Sequence, residues 1–320
     1  GYGSSSFMND MATATKLLLE LAGLDESNWE KTRKDIIEGS NKEGIRAIIE
    51  RALANLAQKT PAQAISAISE RTTERYAQEH ASQYKDELGN KQLEAAKVPL
   101  DFDKCMKQIK ERVERYVGNI IRMPCFEALV LAKMSASLET VGYNKLAVAR
   151  EETGHNTYTT FRGLMQLSLE AVEDARKVLG GELKEDKLKY QLHEPNINVK
   201  IGAAYMAWIM KKIREKCPGI SREDLLKFTV AAYNLGVTYI TGAHTEDLDI
   251  EGILETSKAA GDTPDGKSWM DFDLAFSRAI SKLEKTPVQN SQLILKFRFA
   301  RAYAYRATRF WEIFELAQHY

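Results

Sequence analysis

The stretch ETVGYNKLAVAREETGHNTYTTFRGLMQLS, from Glu139 to Ser168, carries the carboxylates Glu139, Glu151 and Glu152 ahead of a Gly-Leu-Met-Gln. Glu139 and Glu152 are each followed by threonine, directly or nearly so. One carboxylic acid can protonate a leaving oxygen and later take a proton back, provided it stays protonated near neutral pH. Apolar surroundings supply that condition by disfavouring the charged form. The two glutamates differ in this respect. Ahead of Glu139, MPCFEALVLAKMSASL places Phe126, Leu129, Val130, Leu131, Met134 and Leu138 over nearly the whole helical circumference. A helix apolar all round is buried. Its end is an expensive place for a charge. Ahead of Glu152 stand Gly142, Asn144, Lys145 and Arg150. The pattern favours Glu139 as the acid and keeps Glu152 as the alternative.

Other chemistry is poorly represented. His80, His155, His193, His244 and His319 form no metal-binding spacing, and His155 reads as an exposed polar residue. No glycine-rich phosphate loop and no Ser-His-Asp order occurs, so no cofactor and no metal are expected. Cys105, Cys125 and Cys217 have no short spacing. Cys105 and Cys125 read as small buried hydrophobes, with one disulfide left open. The 45 basic and 45 acidic residues cancel, which argues against nucleic acid as the main partner. No apolar run approaches the ~20 residues of a membrane span. No signal peptide is visible, which says little about destination when the chain opens on GYGSSSF ahead of Met8.

The elements that must position these residues read as helices, giving an all-α class. Helices are expected over about 10–22, after Asp25 with Trp29, Ile36 and Ile37 on one side, and over about 42–58. Another follows Thr60, with Pro61 at its first position. The polar stretch GNKQLEAAKVPLD, 89–101, reads as a linker, which bounds an N-terminal helical region at 8–100. A helix from Phe102 to about Ile121 then opens a second region, 101–320, with its motif core at 120–240. Pro124 opens the apolar helix. Further helices are expected from the Gly163 segment to Gly180, from Glu194 to Pro218, and after Ser221 as N-cap. A helix near 245–258, a loop over 261–271 and two C-terminal helices complete the chain as a helical extension.

In order, the motif core resembles the lytic transglycosylases of the soluble, goose-lysozyme-like family. Glu139-Thr140 stands where that family has Glu-Ser. Tyr143-Asn144-Lys145-Leu146-Ala147-Val148 is similar to its Phe/Tyr-Asn-Pro-x-Ala-Val, and Gly163-Leu164-Met165-Gln166 to its GLMQ. Glu194-Pro195, Asn198-Val199 and Gly202-Ala203-Ala204-Tyr205 follow at matching spacing, and Ala232-Tyr233-Asn234-Leu235-Gly236 resembles its AYNxG.

The resemblance implies a lysozyme-like helical catalytic domain that cleaves the bond between N-acetylmuramic acid and N-acetylglucosamine in peptidoglycan. One glutamate protonates the leaving oxygen. The substrate's N-acetyl group then covers the cationic carbon, the 6-hydroxyl closes a 1,6-anhydro ring, and the same glutamate takes that hydroxyl's proton. Leu138, Met165 and Tyr233 are expected to wall the acid. Thr159 or Thr160 is expected to touch the N-acetyl group, Met165 and Gln166 to line sugar subsites, Tyr233 to hydrogen-bond near the acid, and Asn234 to hold the helix start or substrate. Gly163 and Gly202 are expected to allow close backbone approach, and Asn198 to cap a helix. Lys145 in place of proline is expected to loosen a turn, and the inserted REETGHNTYTTFR to form a lid or alter the cleft. The resemblance also implies a periplasmic, extracellular or phage-particle setting. It leaves two further readings: a goose-type hydrolase of peptidoglycan or chitin, and a noncatalytic glycan-binding module whose N-terminal helices hold a protein partner.

Overall fold

The computed structural model describes residues 4–24, 27–136, 143–154, 156–181, 184–242 and 250–318. Four helices begin the chain: α1 (Ser4–Leu21), α2 (Trp29–Glu38), α3 (Lys42–Leu56) and α4 (Pro61–Glu79). Asp25 lies outside the described residues, and Asn28 occupies the N-cap of α2. Helix α4 starts as its sequence requires. Thr60 Oγ1 accepts the Gln63 N–H at 3.2 Å and Gln63 Oε1 accepts the Thr60 N–H at 3.2 Å, a reciprocal capping box.

The expected linker is instead helical. After a 3₁₀ turn at Ala81–Tyr84, residues 89–96 lie in α5 (Glu87–Ala96), capped by Asp86, which accepts the Gly89 N–H at 2.6 Å. Its polar composition is that of a short, largely exposed helix, which sequence alone does not separate from a loop. Helices α6 (Phe102–Val117) and α7 (Met123–Ala136) follow. In α7, Phe126, Ala128, Leu129, Val130, Leu131, Ala132, Met134 and Ala136 are all buried, as the continuous apolar pattern demands. The end of the expected helix, including Leu138 and Glu139, lies outside the described residues.

Two strands interrupt the helices. β1 (Val148–Gly154) and β2 (Thr157–Arg162) pair antiparallel, with Glu151 opposite Thr159, Arg150 opposite Thr160 and a bulge between Glu152 and Gly154. They contain the inserted segment that was expected to form a lid or alter the cleft. The run Thr-Tyr-Thr-Thr-Phe favours extended backbone through its β-branched and aromatic side chains. Asn156 takes φ 61° at the turn.

The remaining elements are α8 (Leu169–Leu179), α9 (Glu185–Gln191), α10 (Pro195–Lys216), α11 (Arg222–Leu235), α12 (Val237–Thr241), α13 (Ile253–Ala260), α14 (Phe272–Leu283) and α15 (Pro287–Gln318). Helix α13 begins later than the expected 245, and residues 243–249 lie outside the described set. Ser221 caps α11, as expected, by accepting the Asp224 N–H at 3.1 Å. Helix α10 carries the other correction. Its cap is Glu194, whose carboxylate accepts the N–H groups of Asn196 and Ile197. Asn198 sits inside the first turn and is fully buried. One continuous apolar core runs from Leu18, Leu53 and Ile65 through Val113, Phe126, Leu164, Met206 and Phe228 to Phe276 and Phe310. The helices before residue 100 and those after it therefore share one interior. Among the described residues, no helix is long and apolar enough to cross a membrane.

Candidate functional site

The Gly163–Gln166 segment is a tight turn that closes the hairpin onto α8. Arg162 and Leu167 exchange backbone hydrogen bonds at 3.1 and 3.0 Å, and the Gly163 N–H donates to Ala147 O at 3.0 Å. Gly163 has φ +78°, and an added Cβ would overlap Asn198 Nδ2 and Leu192 O. Only glycine tolerates both conditions. Asn198 is the post around which the turn is wrapped. Its Oδ1 accepts the Met165 N–H at 2.8 Å, and its Nδ2 donates to Arg162 O at 2.9 Å and to Leu192 O at 2.8 Å. A residue type suited to capping helices is equally suited to satisfying buried backbone groups.

Met165 was expected to line a sugar subsite. Its side chain is fully buried against Gly202, where an added Cβ would come within 2.6 Å of Met165 Cγ. What it offers its neighbours is its carbonyl, which is buried as well. Lys133 Nζ donates to Met165 O at 3.2 Å, and Tyr233 OH donates to the same oxygen at 2.6 Å. Lys133 also lies 4.2 Å from the centre of the Tyr233 ring, and Tyr205 meets that ring edge-on at 5.0 Å. Lys133 is 3% exposed, so its charge relies on these contacts rather than on water. Burial pushes the Tyr233 phenol well above its usual range, which keeps the hydroxyl protonated and donating.

Gln166 is nearly buried, with φ 48°. Its Nε2 donates to Gly163 O at 2.9 Å and Ala147 O at 3.3 Å, while its Oε1 has no partner among the described residues. Thr159 and Thr160 are half-buried on successive positions of β2, so they face opposite sides of the hairpin. Asn234 is exposed in the last turn of α11, next to Tyr233. Glu152 is exposed on β1, and Glu151 pairs with Lys296 of α15 at 2.6 Å.

Residues 143–147, just ahead of the hairpin, are tied down by several side chains, contrary to the expectation for Lys145. Its side chain is fully buried. Its Nζ forms an ion pair with Glu70 of α4 and donates to Ala96 O at 3.1 Å and Val98 O at 3.0 Å. Its N–H donates to Thr73 Oγ1 at 3.0 Å. Its carbonyl accepts from His193 Nδ1 at 2.9 Å. Burial pushes His193 down to about 4, against the pull of that backbone bond and helped by the Arg162 charge, so the ring is neutral near pH 7. Its Nε2 has no partner among the described residues. Asn144 adds an Asx-turn, its Oδ1 accepting the Leu146 N–H at 3.0 Å.

The fold thus brings Met165, Gln166, Tyr233 and Gly163 into one cluster, with Thr159, Thr160 and Glu152 on the hairpin that rises from it. Lys133 and Lys145 were not singled out as site residues. Lys133 had a signal available: it is the one cation in the apolar run from Phe126 to Met134. Lys145 had none, because its partners lie far away in sequence.

Residues 141–248 match the family model described as Transglycosylase SLT domain. The match covers about a third of the chain, taking in the hairpin, the Gly163–Gln166 turn and helices α8 to α12. It begins just after Glu139, and α7, α4 and α15 lie outside it. No curated protein and no solved structure matches the chain.

Proposed function

We propose, on the premise that residues 141–248 are a lytic transglycosylase domain, a glycan-cleaving lyase of the lysozyme-like family, that this protein cuts the β-1,4 bond between N-acetylmuramic acid and N-acetylglucosamine with a 1,6-anhydro product. SLT domains act on peptidoglycan outside the cytoplasm. A periplasmic, cell-wall or phage-particle setting is the corresponding proposal for this chain.

Glu139 is the proposed acid and base. As acid it passes its proton to the glycosidic oxygen as the bond to the muramic C1 breaks. The N-acetyl oxygen holds that carbon. The 6-hydroxyl oxygen then bonds to C1, the N-acetyl group is released, and the hydroxyl proton returns to the glutamate. The observation that carries this choice is the contrast in burial: most side chains of α7, the helix that precedes Glu139 in the chain, are buried, whereas Glu152 is exposed on β1. Desolvation favours the neutral form of a carboxyl, so a buried helix is the better lead-in to a general acid. Gln166 supports the reading through the unmet acceptor at Oε1, which a sugar hydroxyl or amide would satisfy. Thr159 or Thr160 is the proposed contact to the N-acetyl group, and Asn234, exposed beside Tyr233, a contact to the glycan. Tyr233 and Lys133 set the shape of the floor through Met165 O.

The test is incubation of the full chain, and of Glu139→Gln and Glu152→Gln, with purified peptidoglycan, followed by mass spectrometry. Anhydro-muropeptides from the unaltered protein and from Glu152→Gln, absent with Glu139→Gln, are expected. Loss only with Glu152→Gln would move the acid to the hairpin. Reducing-end products would make the protein a hydrolase.

A further inference from the structure

We propose that the open face of the β1–β2 hairpin binds carboxylates of the peptide stems that peptidoglycan carries on its muramic acid, with Arg150 and Arg162 as the anion-binding pair. The inference rests on the peptidoglycan reading and extends it from the glycan to the peptide.

The hairpin has two unlike faces. Residues opposite one another in the register share a face, and faces alternate along each strand. Ala149, Glu151, Thr159 and Phe161 form one face. All four are half-buried, and Glu151 pairs with Lys296, so this face turns toward α15. Val148, Arg150, Glu152, Tyr158, Thr160 and Arg162 form the other. It is the open one: Val148 is 51% and Tyr158 53% exposed, and Arg150 and Glu152 are exposed as well.

Two guanidinium groups stand on the open face as diagonal neighbours. Arg150 is opposite Thr160, and Arg162 lies two residues further along β2. Among the described residues neither forms an ion pair, not even with Glu152 on the same face. Arg150 lies 5.1 Å over the Tyr158 ring, which orients the charge without neutralising it. Arg162 is half-buried, and its Nε is buried with no partner among the described residues. Burial, and then the Arg150 charge, push the Arg162 pKa down. Like charges this close repel, and a buried donor left unmet costs free energy. A carboxylate relieves both, since its two oxygens accept from a guanidinium fork.

The chemistry of muramic acid supplies that carboxylate. Its N-acetyl group is on C2, and the lactyl ether that bears the peptide is on the adjacent C3. Thr160 is opposite Arg150 and next to Arg162 on the open face, while Thr159 is on the face toward α15. An N-acetyl group held at Thr160 therefore sets the peptide stem beside the two arginines. The same geometry selects Thr160 over Thr159 as the N-acetyl contact.

The probe is N-acetylglucosaminyl-N-acetylmuramic acid tetrapeptide, which lacks the bond that the protein is proposed to cut, so binding is read without turnover. Its Kd for the full chain is measured by titration calorimetry beside that of the same compound with its peptide carboxylates converted to amides. The carboxylate form should bind about 10-fold tighter in low salt, an advantage that shrinks as salt rises. Arg150→Gln should cut the advantage to within about threefold, and Arg150→Lys should recover part of it. Arg162→Gln should act in the same direction. Should it fail to fold, Arg150→Gln, a change at an exposed side chain, decides by the same criteria. Equal affinities for the two forms, or binding of neither, would overturn the proposal, as would an advantage that survives in Arg150→Gln. Displacement by inorganic phosphate as readily as by the free tetrapeptide, at matched ionic strength, would make this a general anion site and overturn its assignment to the stem. The two readings fail separately. A carboxylate preference in a chain that releases no anhydro-muropeptides sinks the lyase reading alone, and cleavage of peptidoglycan without the preference sinks this one alone.

Discussion

Helix α7 and strand β1 each lead toward a glutamate, and they treat charge in opposite ways. The charge inside α7, Lys133, is 3% exposed and held by the Met165 carbonyl and the face of Tyr233. Those on β1 lie at the surface: Glu152 is exposed, Arg150 is exposed over the Tyr158 ring, and Glu151 pairs with Lys296 while both side chains remain 44% exposed. Water screens the second group and is absent from the first. Removal from water is one way to keep a carboxyl protonated near neutral pH. This difference between the two regions, rather than any motif around either glutamate, is the ground on which Glu139 is proposed.

The largest expected effect tests this directly. Glu139→Gln should lower the rate of anhydro-product release by about 10²- to 10⁴-fold, the usual range for a general acid. Glu152→Gln should stay within about threefold. Equal losses in product-release assays would show that the burial contrast does not select the acid. Next in size are the contacts of the buried Lys145 side chain, between Glu139 and the hairpin in the chain. Lys145→Met removes the partner of the Ala96 and Val98 carbonyls. The Ala96 carbonyl is buried while that of Val98 is part-buried, and a buried acceptor left unmet costs about 1–3 kcal/mol, so urea unfolding should show a loss of about 2 kcal/mol or more. A loss below ~1 kcal/mol would mean that water reaches this site and that it behaves like β1.

Why one region was legible in sequence and its neighbours were not follows from the same physics. The burial of α7 is written in its composition, since apolar residues recur around most of its circumference. The caps at Thr60 and Ser221 and the close approach at Gly163 are local, and local chemistry predicts them. Lys145 shows the limit. A lysine after an asparagine reads as a loosened, solvated turn, and nothing nearby announces Glu70 or the carbonyls of α5 and its following loop. Asn198 misled because helix caps and buried backbone posts use the same side chain. Residues 89–96 misled because an exposed helix has a linker's polarity. The hairpin was missed because its apolar alternation is short and its first strand is mostly charged. For the site, Gly163, Met165, Gln166 and Tyr233 were singled out by the family resemblance, but the inward burial of Met165 and the convergence of Lys133 and Tyr233 on its carbonyl are tertiary facts.

His193 extends the comparison into pH. Its folded-state pKa is pushed down to about 4, from the 6.5 of a free imidazole, chiefly by burial. As pH falls below about 6.5 the unfolded chain binds a proton that the folded chain refuses until about pH 4. Stability contributed by the neutral ring is therefore complete above 6.5 and lost as pH drops through that window, by about 3 kcal/mol in all. Urea unfolding between pH 7 and 4 should show this decline, and His193→Gln should flatten it. Parallel curves for the two proteins would mean that the ring is solvated.

The smallest effect is expected where charge meets water. Glu151→Gln removes the ion pair to Lys296. Both side chains keep nearly half of their exposure, so each regains most of its solvation when the pair is broken, and ordering two long side chains offsets much of what remains. The expected change in unfolding free energy is under ~1 kcal/mol, shrinking further in high salt. A loss of ~2 kcal/mol or more that survives salt would require this pair to be shielded when the protein is folded. The hairpin would then bind α15 as firmly as α7 does, and Glu152, one residue along the same strand, would stand close to a low-dielectric setting. That outcome would remove the ground for preferring Glu139, so the weakest interaction in the comparison is also a sensitive check on it.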